Sequence, residues 1–157
     1  MQAYVATFPP DAMVRMLTHS TATVRLFIEQ AMAQFTALEL SPRRRELVIL
    51  AVAAEVDGEF VAAQHGPIAA REGVTEAERE LLARRDFAGL AGPDRVLVEF
   101  TAAVLAGPRV PDELFAAVRE FLSEREIVEV LQVCGYYWTF SRIATVLDVP
   151  VTEVYGL

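Results

Sequence analysis

The sequence predicts an all-α protein. Helix start and stop signals recur along the whole chain, and two of them are complete capping boxes. No period-two run of β-branched residues bounded by turn signals competes with them. Two helices, over 10–18 and 22–38, precede the first strongly marked start. Ser41-Pro42 supplies that start, a serine N-cap followed by proline at the first helical position, and opens a helix over 42–56. Asp57-Gly58 then turns the chain into a helix over 59–72. Pro67 lies inside this fourth helix and removes a backbone donor, so the turn around it is predicted to bend or loosen, either to aim His65 into a pocket or only to relieve packing. Thr75-x-x-Glu78 is a capping box for a helix over 76–85, and Pro93-Asp94 and Pro111-Asp112-Glu113 mark helices over 94–106 and 112–121. Ser123-x-x-Glu126, the second capping box, opens the longest helix, 124–147.

The 157 residues are the size of one domain and long enough to bury a real core. A hydrophobic content of 54% with mean hydropathy +0.32 implies more apolar helical surface than one monomer can bury, so self-association is expected. Net charge is −8, and all 14 basic residues are arginine. Without lysine, Schiff-base catalysis and pyridoxal phosphate anchoring are excluded. The acidic balance argues against nucleic-acid binding, which depends on neutralising phosphates. A helix-turn-helix-like pattern at 143–154 changes nothing, because no basic residue follows Arg142 to meet a phosphate.

Cys134 is alone, which removes any intrachain disulfide. With no lysine or second cysteine to activate it, it reads as a buried, inert thiol. Asp11, Arg15 and His19 break any signal-peptide core, and cytoplasmic residence is the expectation. From Val130 to Leu147 the only charge is Arg142, but polar residues interrupt the run and its aromatics sit in the middle, so a subunit contact fits better than a membrane span. Two histidines without paired spacing give no support to a metal site. The arginine-only, alanine-rich composition is compatible with a bacterial source.

The most informative stretch is LSPRRRELVILAVAAEVDGEFVAAQH, residues 40–65. Glu46 lies about eleven residues before the Asp57-Gly58 turn and His65 about eight after it, or roughly 16 and 12 Å along two antiparallel helices at 1.5 Å per residue. The mismatch of about 4 Å is within reach of a glutamate side chain. A carboxylate that accepts from one imidazole nitrogen fixes the tautomer and leaves the other nitrogen to move a proton. The competing reading is a buried pair that only ties two helices together.

Arg45-Glu46-Leu47, Gly58, His65 and Gly135-Tyr136-Tyr137 resemble the carboxymuconolactone decarboxylase and alkylhydroperoxidase-D superfamily. The likeness is strongest over 40–150 within a single domain spanning 1–157. It implies an alkylhydroperoxidase-D-like helical bundle that assembles as a trimer or hexamer. In the peroxidase branch a Cys-x-x-Cys precedes the histidine, at positions that fall here on Gly58 and Val61. The resemblance therefore runs to the cysteine-free, decarboxylase-like branch and implies cofactor-independent lyase chemistry on small acids.

Other constellations add candidate binding groups. Arg43, Arg44 and Arg45 open the Glu46 helix, where cations oppose the helix dipole, so an anionic substrate group held there, by Arg45 above all, is one reading and surface ion pairing the other. Tyr136, Tyr137 and Trp138 form an aromatic cluster in which Tyr137 is a candidate pocket wall, against the alternative of packing alone. The expectation is thus a decarboxylase-like enzyme with His65 and Glu46 as catalytic residues and Arg45 and Tyr137 binding a small carboxylated or carbonyl-bearing substrate. It requires no cofactor and no metal, and it has neither nucleic acid nor membrane as a partner. A non-catalytic oligomeric or ligand-binding module on the same scaffold is the alternative. A thiol peroxidase comes third, disfavoured by the missing cysteine pair.

Overall fold

The computed structural model describes residues 12–151. Among them are eight α-helices and no strand: α1 Ala12–Leu17, α2 Val24–Thr36, α3 Pro42–Glu55, α4 Glu59–Arg71, α5 Glu76–Ala83, α6 Gly92–Ala106, α7 Asp112–Arg119 and α8 Glu124–Val146. The helices expected from the sequence all appear within a few residues of their read ends, although positions 10 and 11 of the first lie outside the described residues. A single 3-10 turn, Phe87–Gly89, was not foreseen.

The local signals act as their chemistry requires. Ser41 accepts from the Arg44 N–H at the start of α3, and both capping boxes close reciprocally, Thr75 with Glu78 and Ser123 with Glu126. α4 runs through Pro67 without interruption. Gly92, at φ +54, sets the chain for Pro93 and starts α6 two residues before the expected position.

α3 is the axis of the bundle. All six residues from Leu47 to Val52 are buried, five of them with no exposed surface, so this helix is covered on every side. One side joins α6, α7 and α8 in the main core, which includes Phe100, Val118, Val130 and Val133. Another side, with Leu47, Leu50 and Ala51, meets Ala69, Val74, Leu82 and Val98. Each of the larger side chains, the alanines apart, contributes ~1.5–3 kcal/mol through burial. A smaller cluster of Met13, Phe60, Ala144 and Val149 ties α1 and the end of α8 to α4.

α2 is held differently. The close backbone packing of the bundle involves α3 with α4, α5, α6 and α8, while α2 makes no comparably extensive approach to any described helix. It is attached through side chains, among them Phe27, whose ring stacks on Tyr136 at 4.3 Å. Past its C-terminal end, the Leu40 N–H donates to Glu129 at 2.8 Å. No helix among the described residues is long and apolar enough to cross a membrane.

Candidate active site

The α3–α4 hairpin brings Glu46 and His65 together as their spacing implied. Asp57, at φ 53, provides the left-handed residue of the connection, and the Gly58 N–H closes it on the Ala53 carbonyl at 2.8 Å. His65 Nδ1 then lies 2.8 Å from Glu46 Oε2. Glu46 Oε1 accepts from Arg45 Nε at 3.0 Å. The glutamate side chain is 0% exposed, that of Arg45 4% and that of His65 9%. Each carboxylate oxygen therefore has a donor, and the guanidinium charge offsets the carboxylate inside the protein. Because Glu46 accepts at Nδ1, that nitrogen carries the proton of the neutral imidazole and Nε2 is left as the acceptor. Nε2 has no hydrogen-bond partner among the described residues.

Aromatic rings enclose the pair. Tyr137, from α8, meets the imidazole edge-on, with centroids 4.8 Å apart and planes at 86°. Phe35, from α2, stacks over His65 at 6.0 Å and beneath the Arg45 guanidinium at 4.3 Å. Burial, the nearby Glu46 charge and Tyr136 push the Tyr137 hydroxyl well above its ordinary range, with Arg45 opposing them weakly, so it stays protonated. It can donate a hydrogen bond but does not act as a base near neutral pH.

The three consecutive arginines diverge because successive helix positions are turned by about 100°. Arg43 bridges Glu78 at 2.6 Å and Asp94 at 2.8 Å, joining α3 to α5 and α6. Arg44 reaches Glu126 at 3.3 Å and lies over the Phe121 ring at 5.2 Å. Only Arg45 turns inward, where its Nη1 also donates to the Gln34 carbonyl at 3.3 Å. The structure thus gathers His65, Glu46, Arg45 and Tyr137 in one buried cluster and sends Arg43 and Arg44 elsewhere. Phe35 and Gln34, which complete its α2 side, were not foreseen. The available signal was Gln34 itself, a polar residue at helical spacing from Phe27 and Ala31 on α2, with Leu38 just past its end.

The positions of the missing cysteines are filled by packing. A Cβ at Gly58 would lie 2.5 Å from Ser141 Oγ, and Val61 is fully buried. Cys134 is buried too, and its burial drives the thiol up to about 12, despite a hydrogen bond with Thr101. Two clefts of about 520 and 480 Å³ open elsewhere, one along α6, α7 and Leu131, the other between α1, α2 and the end of α8. Neither is lined by Glu46 or His65, so it is side-chain chemistry rather than cavity size that marks the site. Among the described residues no group of three His, Cys, Asp or Glu is placed to hold a metal ion.

Several solved structures share this fold at low sequence identity. A protein of unknown function from Agrobacterium tumefaciens is 20% identical, with TM-score 0.75 over 89% of this chain and 95% of that one. The alkylhydroperoxidase AhpD core of a peroxidase-related protein from Ralstonia eutropha is 16% identical, with TM-score 0.75 over 88% and 75%. A cysteine-to-alanine variant of the debrominase Bmp8, in complex with 2,3,4-tribromopyrrole, is 12% identical, with TM-score 0.77 over 97% and 82%. No curated protein matches the sequence. The model of the carboxymuconolactone decarboxylase family matches residues 21–103, more than half of the chain, including Phe35, Arg45, Glu46 and His65, and the protein belongs to that family.

Proposed function

We propose that the protein is a cofactor-independent, decarboxylase-like lyase that acts on a small carboxylated or carbonyl-bearing molecule, with His65 as general acid/base and Glu46 as its orienting carboxylate. The observation that carries this reading is the 2.8 Å bond between His65 Nδ1 and Glu46 Oε2, inside a cluster whose charge is balanced by Arg45. Family membership supports it by placing the chain among carboxymuconolactone decarboxylase relatives.

In a decarboxylation at this site the bond between the α-carbon and the carboxylate breaks, and carbon dioxide leaves. The electron pair remains on the carbon and spreads into the neighbouring carbonyl as an enolate. One proton is required per turnover. Solvent loads it on Nε2 to give an imidazolium stabilised through Nδ1 by Glu46, and Nε2 delivers it to the carbon. Arg45 supplies positive charge for the acid group, and Tyr137 supplies a hydroxyl that remains protonated. A thiol peroxidase reading lacks support in this chain, where Gly58 and Val61 replace the cysteine pair and the Cys134 thiol is buried.

The same reading includes a homo-oligomer, trimeric or hexameric. Val128, Leu131, Trp138 and Val146 line an exposed stripe along α8, with Gly135 among them. Sedimentation at several concentrations tests this, and a monomer throughout would refute it.

The test of the catalytic reading is an imidazole NMR titration of His65, assigned against His19, with and without small keto acids and lactone acids. Ligand-dependent movement of the His65 ring, together with loss of turnover in His65→Ala, is the expected result. A His65 resonance indifferent to every ligand and to bulk pH would overturn the reading in favour of a structural pair.

A further inference from the structure

Gln34 carries a cost that the fold does not explain. Its side chain is buried, with only 3% of the residue exposed, and neither the amide nitrogen nor the carbonyl oxygen of the side chain has a hydrogen-bond partner. A buried polar group left in this state costs about 1–3 kcal/mol, and an apolar side chain of similar volume would avoid it. The position is structural in every other respect. It lies on α2 at helical spacing from Phe27 and Ala31, which pack against the main core, and its backbone carbonyl accepts from Arg45. The next residue, Phe35, is stacked over the His65 ring. The orphan carboxamide is thus carried by the turn of α2 whose backbone meets Arg45 and whose next residue meets His65.

We infer that the Gln34 carboxamide is a substrate-binding group, donating its N–H to the carbonyl oxygen of the molecule on which His65 acts. The inference rests on the proposed acid/base site. A carboxamide supplies two N–H donors and one acceptor without adding charge, which suits the ketone oxygen of a keto acid whose carboxylate is drawn to Arg45. In an enolate-forming step that ketone oxygen gains charge, and a donor fixed in a water-poor layer stabilises it. Ligand binding also gives the orphan amide the partner that the unliganded fold lacks. The site is thereby selective for acids bearing a ketone over plain aliphatic acids of the same length.

The experiment uses the assembled protein with levulinate, a five-carbon acid bearing a ketone, and pentanoate, the same chain without it. In the parent, the Gln34 side-chain amide and the His65 ring both shift saturably with levulinate, and levulinate binds about tenfold more tightly than pentanoate, the ratio expected for one buried hydrogen bond. In Gln34→Leu the two ligands bind alike, while the melting temperature is unchanged or higher. Gln34→Met serves as a second volume-matched variant where the leucine protein does not fold. A preserved preference for levulinate in a folded variant overturns the Gln34 inference and leaves His65 in place. Movement of the Gln34 amide without movement of His65 keeps Gln34 as a ligand group and overturns the acid/base reading. If neither resonance moves at millimolar ligand, both are overturned.

Discussion

Glu46→Leu is the perturbation with the largest consequence that the structure allows to be worked out. The carboxylate is fully buried and accepts from Arg45 Nε and His65 Nδ1 at 3.0 and 2.8 Å. Its removal leaves a guanidinium with 4% side-chain exposure inside the protein without its counter-charge. Breaking a buried pair in this one-sided way costs about 3–5 kcal/mol, a large share of the ~5–15 kcal/mol that holds a domain folded. For a chain of this length that lowers the melting temperature on the order of 10 °C. Arg45→Leu strands the opposite charge and costs a similar amount. The double variant Arg45→Leu/Glu46→Leu removes both charges and leaves two uncharged groups, the His65 N–H and the Gln34 backbone carbonyl, without those partners, so it lies about 2–4 kcal/mol below the parent. The two substitutions thus couple by at least ~2 kcal/mol in the stabilising direction. The assay is urea unfolding of the four proteins at one fixed concentration. A double variant as unstable as the sum of the two singles would refute the view that this cluster is a compensated buried charge pair.

Three further outcomes are expected. Burial pushes the Glu129 carboxyl up, but the Leu40 and Glu39 backbone N–H groups and Arg125 outweigh it, so its folded value lies below the ordinary value of 4.5. The stability it supplies is therefore present above about pH 4.5 and lost as the pH falls through the folded value. Glu129→Gln should be less stable by ~1.5–3 kcal/mol at pH 7, with the gap closing in acid unfolding curves. Gly58→Cys drives its Cβ to 2.5 Å from Ser141 Oγ and 3.0 Å from Ser141 Cβ and should cost ~1–3 kcal/mol, part of it recovered in Gly58→Cys/Ser141→Ala; equal melting temperatures for parent and Gly58→Cys would refute the clash. Cys134, 1% exposed and with its thiol raised to about 12, should resist a thiol reagent in the native protein and react at once in urea, so rapid native labelling would contradict its burial.

The helices were legible because their ends are written in neighbouring residues: Ser41-Pro42, Thr75 with Glu78 and Ser123 with Glu126 need only a turn of chain to act. The Phe87–Gly89 turn was not legible, since it is one turn pressed against its surroundings, with Gly89 so close to Leu81 that a Cβ there would lie 2.5 Å from it. Glu46 and His65 could be paired from the sequence because a short turn fixes the offset of two antiparallel helices. The fates of the three arginines could not, because a basic run reads as surface until the 100° step is laid against real neighbours. Phe35 and Gln34 were hidden for a related reason. α2 reaches the cluster across the bundle, and no local rule states which of its turns meets Arg45.

The missing cysteines and the retained charges point the same way. Gly58 has Ser141 packed against it and Val61 is sealed in the core, so the thiol positions are not vacancies awaiting a cysteine but parts of a repacked interior. Further along the hairpin and on α2 the chain buries a carboxylate, a guanidinium, an imidazole and a carboxamide with no partner for either of its polar atoms among the described residues. Apolar residues of equal volume would hold three helices together at least as well, because a buried ion pair is often no better for stability than its hydrophobic replacement. An orphan amide is worse than its replacement. A cluster that is costly as structure, with no partner for Nε2 of His65 among the described residues, fits the proposed proton transfer to a bound molecule better than it fits a role in the stability of the bundle.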